Sequence, residues 1–312
     1  FYFLIVINKL FMSKITSFKG IVFDMDGVLR IGKDPVKGAD KIFPRLQDRA
    51  MIVTNECRRT PQKIKEELRE MGIDIGSTPI LTAGVMTYNY LYDIISADKN
   101  RNTIYNVLTI GEEGLIEVIE ELGFLNNYKK ITPLFIQTAI KKNKKFTEDD
   151  KYINYIVIGS INTISIKLLQ VINNYFKVFS NVKVIITCPD TIDPEGGEII
   201  VPKHLVHILN YNNAEKIKPY HTGKPNPIVT KYIEKYFQDD TFDPNNDVDN
   251  KGDIIFVGDT LETDIKLAKE AFFKSILVLS GNTKKENLKK SHITPDITID
   301  SVDDLSSVIN TI

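Results

Sequence analysis

The stretch GIVFDMDGVLR (residues 20–30) places two aspartates, Asp24 and Asp26, where a short apolar run ends and just before a glycine. Such a run predicts a buried strand. Side chains at positions i and i+2 of a strand point to the same face, so the two carboxylates repel each other. A bound cation or a shared proton relieves that repulsion. The sequence therefore predicts a chemical site at the end of this strand.

Further strands and helices alternate on both sides of this stretch. The segment MIVTN (51–55) predicts a second strand, after a helix-like stretch over 39–49. A helix then follows, with Thr60 as N-cap, Pro61 in its first turn and Gly72 at its end. The alternation resumes late in the chain; a helix at 226–237, a strand at 253–259, a helix at 260–272 and a strand at 275–280 are predicted. This pattern is typical of an α/β fold with a parallel sheet covered on both faces.

The middle of the chain has an α/β pattern of its own. We expect residues 13–83 and 218–312 to form the core domain, and residues 84–217 to form a second domain inserted into it. Two polar stretches, 141–151 and 238–252, predict surface loops. The apolar residues 1–11 are too few to span a bilayer, which takes about 20 residues, and we expect an extension or an extra strand there.

Charge and cysteine content restrict the partners and the compartment. The formal net charge of −1 over 312 residues supplies no field that would attract nucleic acid or an anionic membrane, so neither is an expected partner. Two cysteines are too few for a disulfide scaffold, which fits a reducing compartment. We therefore expect a cytoplasmic protein.

More acidic residues follow a second strand. In VGDTLETD (257–264), Asp259 stands at the predicted strand end and Asp264 in the first helical turn. Ligands of open parallel sheets gather at the carboxyl ends of the strands, where Asp24 is also predicted. Three carboxylates with only oxygen donors favour Mg²⁺.

Acidic residues around a magnesium ion indicate a phosphate ligand, and other segments supply donors for it. Thr54 and Asn55 follow the second strand and offer a hydroxyl, an amide and backbone N–H groups. Lys224, between Gly223 and Pro225, offers a fixed positive charge.

Four segments in this order resemble the haloacid dehalogenase superfamily of phosphatases. The branch is the one with a large α/β cap, which contains p-nitrophenyl phosphatase, phosphoglycolate phosphatase, pyridoxal phosphate phosphatase and NagD-like proteins. The matching segments are FDMDGVLRIGKDPVKGAD, IVTNECRRT, GKPNP and VGDTLETD. The resemblance implies a Rossmann-like core with an inserted α/β cap, and it covers nearly the whole chain after Met12.

The resemblance also implies residue roles. Asp24 resembles the nucleophile that forms an aspartyl-phosphate, and Asp26 resembles the general acid and base. The Asp24 carboxylate, the Asp26 backbone carbonyl and Asp259 would bind Mg²⁺, while Asp264 would orient these ligands. Thr54, Asn55 and Lys224 would hold the phosphate oxygens.

The substrate that the resemblance implies is a small phosphomonoester. Phosphoglycolate and pyridoxal phosphate are the expected types, with p-nitrophenyl phosphate as an artificial substrate. The resemblance is also compatible with a homodimer.

Departures from the family pattern keep other interpretations open. Glu56 and Cys57 replace asparagine and serine, and Phe273 stands where a helix-ending glycine is frequent, which we interpret as structural. Glu56 is tolerable if it points toward Arg58 or Arg59, and Cys57 is interpreted as a buried, inert thiol.

The same residues are also compatible with other functions and with purely structural roles. A catalytically silent protein with the same fold and phosphoryl transfer to an acceptor other than water are the alternative functions. Thr54, Asn55 and Asp259 could serve as helix caps, Lys224 as a surface lysine and Asp264 as an ordinary first-turn acid.

Overall fold

The computed structural model describes residues 15, 17–100, 102–146, 152–190, 200–212, 217–237 and 253–309. Residues 1–11 and the polar stretch 238–252 therefore lie outside the described residues, as does the second half of the stretch 141–151. Within the described part of the chain, no helix is long and apolar enough to cross a membrane.

The strands and helices alternate along the chain as predicted. The strands are β1 Gly20–Phe23, β2 Arg30–Ile31, β3 Asp34–Pro35, β4 Ala50–Thr54, β5 Ile80–Thr82, β6 Ile104–Ile110, β7 Tyr128–Lys130, β8 Tyr152–Ile158, β9 Val182–Ile186, β10 Tyr220–His221, β11 Ile254–Gly258, β12 Lys274–Val278 and β13 Ile297–Ile299. The α-helices are α1 Phe43–Leu46, α2 Pro61–Glu70, α3 Ala83–Ala97, α4 Glu113–Glu120, α5 Pro133–Lys141, α6 Ile166–Val178, α7 Pro202–Asn212, α8 Ile228–Phe237, α9 Lys266–Glu270, α10 Lys285–Leu288 and α11 Leu305–Val308. Short 3₁₀ turns cover Ala39–Lys41, Gln47–Arg49, Glu121–Phe124 and Val302–Asp304, and a π-helical turn covers Leu261–Ile265.

The chain divides into two compact units. The first unit comprises the described residues up to Val53, the segment Lys65–Ile80 and the described residues from Thr230 onward. The second unit comprises Thr54–Ile64 and Leu81–Val229. The predicted boundaries of core and inserted domain stay a prediction.

The main sheet has six strands in the order β13-β12-β11-β1-β4-β5. The pairs β1–β11, β1–β4, β11–β12 and β12–β13 are all parallel. The residues of β1 and β11 are buried, as expected of strands covered on both faces. The chain runs from β1 to β4 on one side and returns through β11 on the other, so β1 lies at the point where the strand order reverses. Ligands bind at the carboxyl ends of strands at such a point.

The second unit is built on a five-stranded sheet in the order β10-β9-β8-β6-β7, and its pairs are also parallel. Alternate residues of β6 pack into separate hydrophobic clusters, since Leu108 belongs to one and Val107 to the other. Tyr175 of α6 belongs to the Leu108 cluster, and Leu91 of α3 to the Val107 cluster. The sheet is thus covered on both faces. These two parallel sheets confirm the predicted α/β fold class.

Two helices differ from their sequence predictions. The stretch 39–49 contains only one turn of α-helix between two 3₁₀ turns, since Pro44 at the centre cannot donate a backbone hydrogen bond. The helix predicted over 260–272 opens with the π-helical turn and ends at Glu270, two residues before Phe272, whose φ of 61° is left-handed. A glycine that ends a helix in a left-handed conformation would suit position 272, whereas Phe273, which the sequence analysis compared with that glycine, is buried.

Candidate active site

Asp24 directly follows β1 and is buried. Its backbone N–H donates to the carbonyl of Val257 in β11 at 2.9 Å, which continues the parallel ladder by one residue beyond the strand. Because Phe23 is paired with Val257 in this register, Asp24 lies beside the end of β11, where Asp259 follows. Two of the predicted acids are thus brought together by strand pairing.

Asp264 is held in the turn that follows β11. Its Oδ2 accepts hydrogen bonds from the backbone N–H groups of Asp259 at 3.1 Å and Thr260 at 3.0 Å. The side chain is fully buried. These two bonds satisfy donors that the π-helical turn leaves without partners, so Asp264 fixes the backbone on which Asp259 stands.

Asp24, Asp259 and Asp264 form one acidic cluster. Each offers a carboxylate oxygen, and the three oxygens lie within 4.8 Å of one another. Burial of three carboxylates at this separation is unfavourable unless positive charge compensates it. Oxygen-only donors at such separations fit a hard divalent cation such as Mg²⁺.

Two glycines leave room for the Asp259 carboxylate. A Cβ at Gly27 would lie 2.3 Å from Asp259 Oδ2, and one at Gly281 would lie 2.0 Å from the same oxygen. The carboxylate also accepts hydrogen bonds from the Asn282 backbone N–H and from the Thr260 hydroxyl. Asp259 therefore has a fixed orientation, as expected of a metal ligand held by its surroundings.

Asp26 lies in the turn after β1, and its carboxylate is paired with a cation. Arg30 Nε donates to Asp26 Oδ1 at 2.9 Å. The sequence analysis did not identify Arg30, although its place four residues after Asp26 in the first motif was a usable signal.

The predicted phosphate donors belong to the second unit. Thr54 is the buried last residue of β4, and its hydroxyl accepts a hydrogen bond from the Glu56 N–H at 3.1 Å. Asn55 and Lys224 are brought together: Asn55 Oδ1 accepts from the Lys224 N–H at 2.8 Å, and Asn55 Nδ2 donates to the Lys224 carbonyl at 3.2 Å. Lys224 itself is 2% exposed, so it is no surface lysine.

Asp190 is a further partner that the sequence did not indicate. Asn55 Nδ2 also contacts the two carboxylate oxygens of Asp190, at 3.2 and 3.0 Å. Nothing in the spacing of two residues 135 positions apart predicts this contact. The Asn55 side chain therefore connects Asp190 to the loop that carries Lys224.

Glu56 is neutralised by its neighbours. Its Oε2 lies 2.9 Å from Arg58 Nη2 and 2.7 Å from Arg59 Nη1, and the Arg58 N–H donates to its other oxygen. The expectation that this additional acid points toward the arginines is confirmed. Two guanidinium groups on one buried carboxylate leave no uncompensated negative charge from Glu56.

Cys57 is inert. The thiol is buried, and its sulfur accepts hydrogen bonds from the Ser160 N–H and the Thr187 hydroxyl. Burial, with a smaller contribution from Glu56, raises the pKa of Cys57 to about 11. A thiol of this kind is not a nucleophile near neutral pH, which confirms the sequence interpretation.

Comparison with known families points to one group of enzymes. A family model described as haloacid dehalogenase-like hydrolase matches residues 21–125, and a second, HAD-hydrolase-like model matches residues 221–305.

Curated relatives span nearly the whole chain. An acid sugar phosphatase of Staphylococcus haemolyticus is 25% identical, over 89% of this chain and 92% of its own. A dihydroxyacetone phosphatase of Corynebacterium glutamicum is 24% identical, over 91% of this chain and 89% of its own. In fold, a 4-nitrophenylphosphatase of Thermotoga maritima is similar, with a TM-score of 0.71 and 22% identity over 94% of this chain and 97% of that one.

Proposed function

The chain belongs to the haloacid dehalogenase-like hydrolases, and from this premise we propose that it is a Mg²⁺-dependent phosphatase of small phosphomonoesters. The observation that carries the proposal is the buried cluster of Asp24, Asp259 and Asp264 at the carboxyl ends of β1 and β11. Such a cluster is unfavourable unless a cation binds it or one carboxylate takes up a proton, and three oxygen donors favour the cation. The relatives named as phosphatases support the same reaction class.

The metal would be held by chain oxygens alone. The Asp24 carboxylate, the Asp26 backbone carbonyl and the Asp259 carboxylate are the proposed ligands, and Asp264 holds the backbone of Asp259. When bound, Mg²⁺ neutralises charge and so allows an anionic nucleophile to approach an anionic phosphate.

The proposed reaction has two steps on this chain's own residues. A carboxylate oxygen of Asp24 bonds to phosphorus, and the ester P–O bond breaks as Asp26 donates a proton to the leaving oxygen. Asp26 then accepts a proton from water, whose oxygen attacks phosphorus, so that inorganic phosphate leaves and the Asp24 carboxylate is restored. General acid and base catalysis of this kind contributes roughly 10²–10⁴-fold to the rate.

The three residues proposed to bind phosphate would donate hydrogen bonds from different groups. The Asn55 side-chain amide is already engaged by the Lys224 peptide and by Asp190. We therefore assign to Asn55 its backbone N–H as the donor, to Thr54 its hydroxyl and to Lys224 its ammonium group. Donors fixed before the reaction stabilise the transition state without reorganisation.

The substrate class follows from the relatives and from the family resemblance. Sugar phosphates and dihydroxyacetone phosphate are the candidates that the relatives' names suggest. Phosphoglycolate and pyridoxal phosphate are the candidates from the resemblance, and p-nitrophenyl phosphate is the expected artificial substrate.

The test is phosphate release from these esters, with Mg²⁺ or with EDTA, by the wild type, Asp24→Asn and the control Asp40→Asn. Asp40 is exposed and belongs to the same unit. We expect Mg²⁺-dependent turnover by the wild type and the control, and none above background by Asp24→Asn. Turnover by Asp24→Asn at the wild-type rate would overturn the proposal, and a wild type without turnover of any ester would favour the silent alternative.

A further inference from the structure

Arg30 is enclosed in the first unit with its charge intact. The side chain is 1% exposed, yet it carries a guanidinium group in the turn beside the proposed acid and base. A buried cation is stable only when anions and hydrogen-bond acceptors surround it. The acids around the Arg30 guanidinium therefore indicate the role of this residue.

Two acids hold the guanidinium of Arg30 at different nitrogens. Nε donates to Asp26 Oδ1 at 2.9 Å, and Nη1 donates to Glu67 Oε2 at 3.1 Å. The Asp26 side chain is 11% exposed and that of Glu67 is 21% exposed, so both contacts are shielded from solvent. The guanidinium thus connects Asp26 to helix α2.

The backbone places Arg30 beside Asp26. The Leu29 N–H and the Arg30 N–H both donate to the Met25 carbonyl, and the Gly27 N–H donates to the Arg30 carbonyl at 2.7 Å. This closed turn brings the side chain of the fourth residue after Asp26 back against it. The contact is therefore fixed by the loop and does not depend on a long, mobile side chain finding its partner.

We infer that Arg30 is a positioning residue for Asp26, and that Glu67 in turn positions Arg30. The inference rests on the proposed function, in which Asp26 delivers a proton to the leaving oxygen. An aspartate has two side-chain torsion angles, and a bond at Oδ1 from a group that is held at its far end restricts both. Only a planar, forked cation reaches two acids in fixed directions, so a lysine would replace Arg30 poorly.

The inference predicts an effect that depends on the leaving group. An alcohol is a poor leaving group and needs the proton that Asp26 supplies, whereas p-nitrophenolate leaves readily without it. If Asp26 is no longer held in position, the hydrolysis of alkyl phosphate esters should therefore slow far more than the hydrolysis of p-nitrophenyl phosphate. A general loss of fold or of phosphate binding would slow both esters equally.

The experiment compares kcat/KM for glycerol phosphate and p-nitrophenyl phosphate in Arg30→Met, Arg30→Lys, Glu67→Gln and the control Arg69→Gln. The ratio kcat/KM is measured because it includes the ester-cleaving step and excludes the later attack of water. Arg69 is exposed on the same helix as Glu67. Thermal melting of each variant shows whether it is folded.

We expect Arg30→Met to lower kcat/KM by about 100-fold for glycerol phosphate, the size of effect that a misplaced catalytic group produces. The loss for p-nitrophenyl phosphate should stay within about threefold. Glu67→Gln should show the same selectivity to a smaller extent, Arg30→Lys should restore part of the loss, and Arg69→Gln should match the wild type.

Equal losses for the two esters in a folded Arg30→Met, or no loss for either, would overturn the inference while leaving the proposed function intact. If Arg30→Met does not fold, Glu67→Gln provides the test instead. Equal losses of kcat/KM for the two esters in that variant, or no loss for either, would then overturn the inference. A wild type that turns over neither these two esters nor any of the esters named under the proposed function would instead count against the proposed function.

Discussion

The side-chain amide of Asn55 is bonded to both polar groups of the Lys224 backbone, accepting from its N–H at 2.8 Å and donating to its carbonyl at 3.2 Å. The amide carries an acceptor oxygen and a donor nitrogen side by side, so it can make both contacts at once. Gly223 belongs to the same arrangement, since a Cβ there would lie 2.5 Å from Asn55 Oδ1. The loop that carries Lys224 is thus shaped to receive Asn55.

Replacing Asn55 by aspartate should therefore loosen this loop. Asn55→Asp removes the donor to the Lys224 carbonyl and places a carboxylate against Asp190, so stability should fall by about 1–3 kcal/mol. Urea unfolding measures this loss, and phosphatase assays should show a parallel fall in kcat/KM. The exposed Asn126 of the same unit provides the control, Asn126→Asp, which should change neither quantity. If Asn55→Asp is as stable as the wild type, the Asn55 amide does not stabilise the loop that carries Lys224.

Gly281→Ala should disturb the acidic cluster. The new Cβ would lie 2.0 Å from Asp259 Oδ2, so the carboxylate must shift. If Asp259 is the metal ligand we propose, this displacement should lower activity by up to about 100-fold. The matched control is Gly123→Ala, because a Cβ at Gly123 meets no atom within 4 Å. Activity of Gly281→Ala within twofold of Gly123→Ala would show that Asp259 needs no fixed position.

Binding of Mg²⁺ should stabilise the protein through the same cluster. A ligand that binds only the folded state adds about 2.7 kcal/mol at a free concentration of one hundred times its Kd. The melting temperature should rise with Mg²⁺ in the wild type and in Asp40→Asn, whereas Asp259→Asn should show little rise. Because this measurement needs no substrate, it separates metal binding from catalysis. An equal rise in Asp259→Asn would place the metal elsewhere.

Phe272→Gly should stabilise the first unit. Phe272 has a left-handed φ of 61° and is 77% exposed, so its ring contributes little burial. Relief of about 1–2 kcal/mol of left-handed strain exceeds the backbone entropy of glycine, about 0.5–1 kcal/mol, and leaves a net gain of about 0.5–1 kcal/mol. Phe272→Ala keeps the Cβ and should give no gain. If Phe272→Gly and Phe272→Ala unfold at the same urea midpoint, left-handed strain at position 272 is not the cause of the gain.

Acid should weaken the contact between β12 and the segment before β13. Partial burial opposes ionisation of Asp296, but Lys269 and the two hydrogen bonds from Ser275 outweigh it and lower the pKa of Asp296 below its ordinary value. This contribution is complete above the unfolded pKa of about 3.9 and is lost as the pH falls through the lower folded value.

Asp296→Asn should therefore be less stable than the wild type at neutral pH, with a smaller loss of stability as the pH falls below about 4. Urea midpoints across this range measure the difference. The exposed Asp300 supplies the control, Asp300→Asn, measured over the same pH range. An unchanged acid profile in Asp296→Asn would mean that other carboxylates carry the whole effect.

Local patterns in the sequence were sufficient to predict the α/β fold and the places of the acids at strand ends. Apolar runs and helix caps are short-range signals, so β1, β11 and helix α2 could be recognised without knowledge of the rest. The meeting of Asp24 with Asp259 followed from the parallel arrangement, since the ends of adjacent strands lie side by side. The roles assigned to these residues remain predictions.

The contacts that the sequence could not predict join side chains far apart in the chain. Asn55 with Asp190, and Arg30 with Glu67, have no periodic spacing that marks them. The left-handed Phe272 was also missed, because a bulky residue rarely adopts the conformation that glycine adopts there. Such features depend on tertiary packing, which overrides local preference.

The position of β1 between β4 and β11 has a consequence for how the protein is synthesised. β1 is translated early, but one of its two neighbours, β11, is translated only after the whole second unit has been translated. Until β11 has been synthesised, the edge of β1 next to Asp24 has no partner strand, and Asp259 is absent. In the proposed function, a nascent chain can bind Mg²⁺ and hydrolyse an ester only after Asp259 has been made. The unpaired edge of β1 is where a stalled or truncated chain would aggregate.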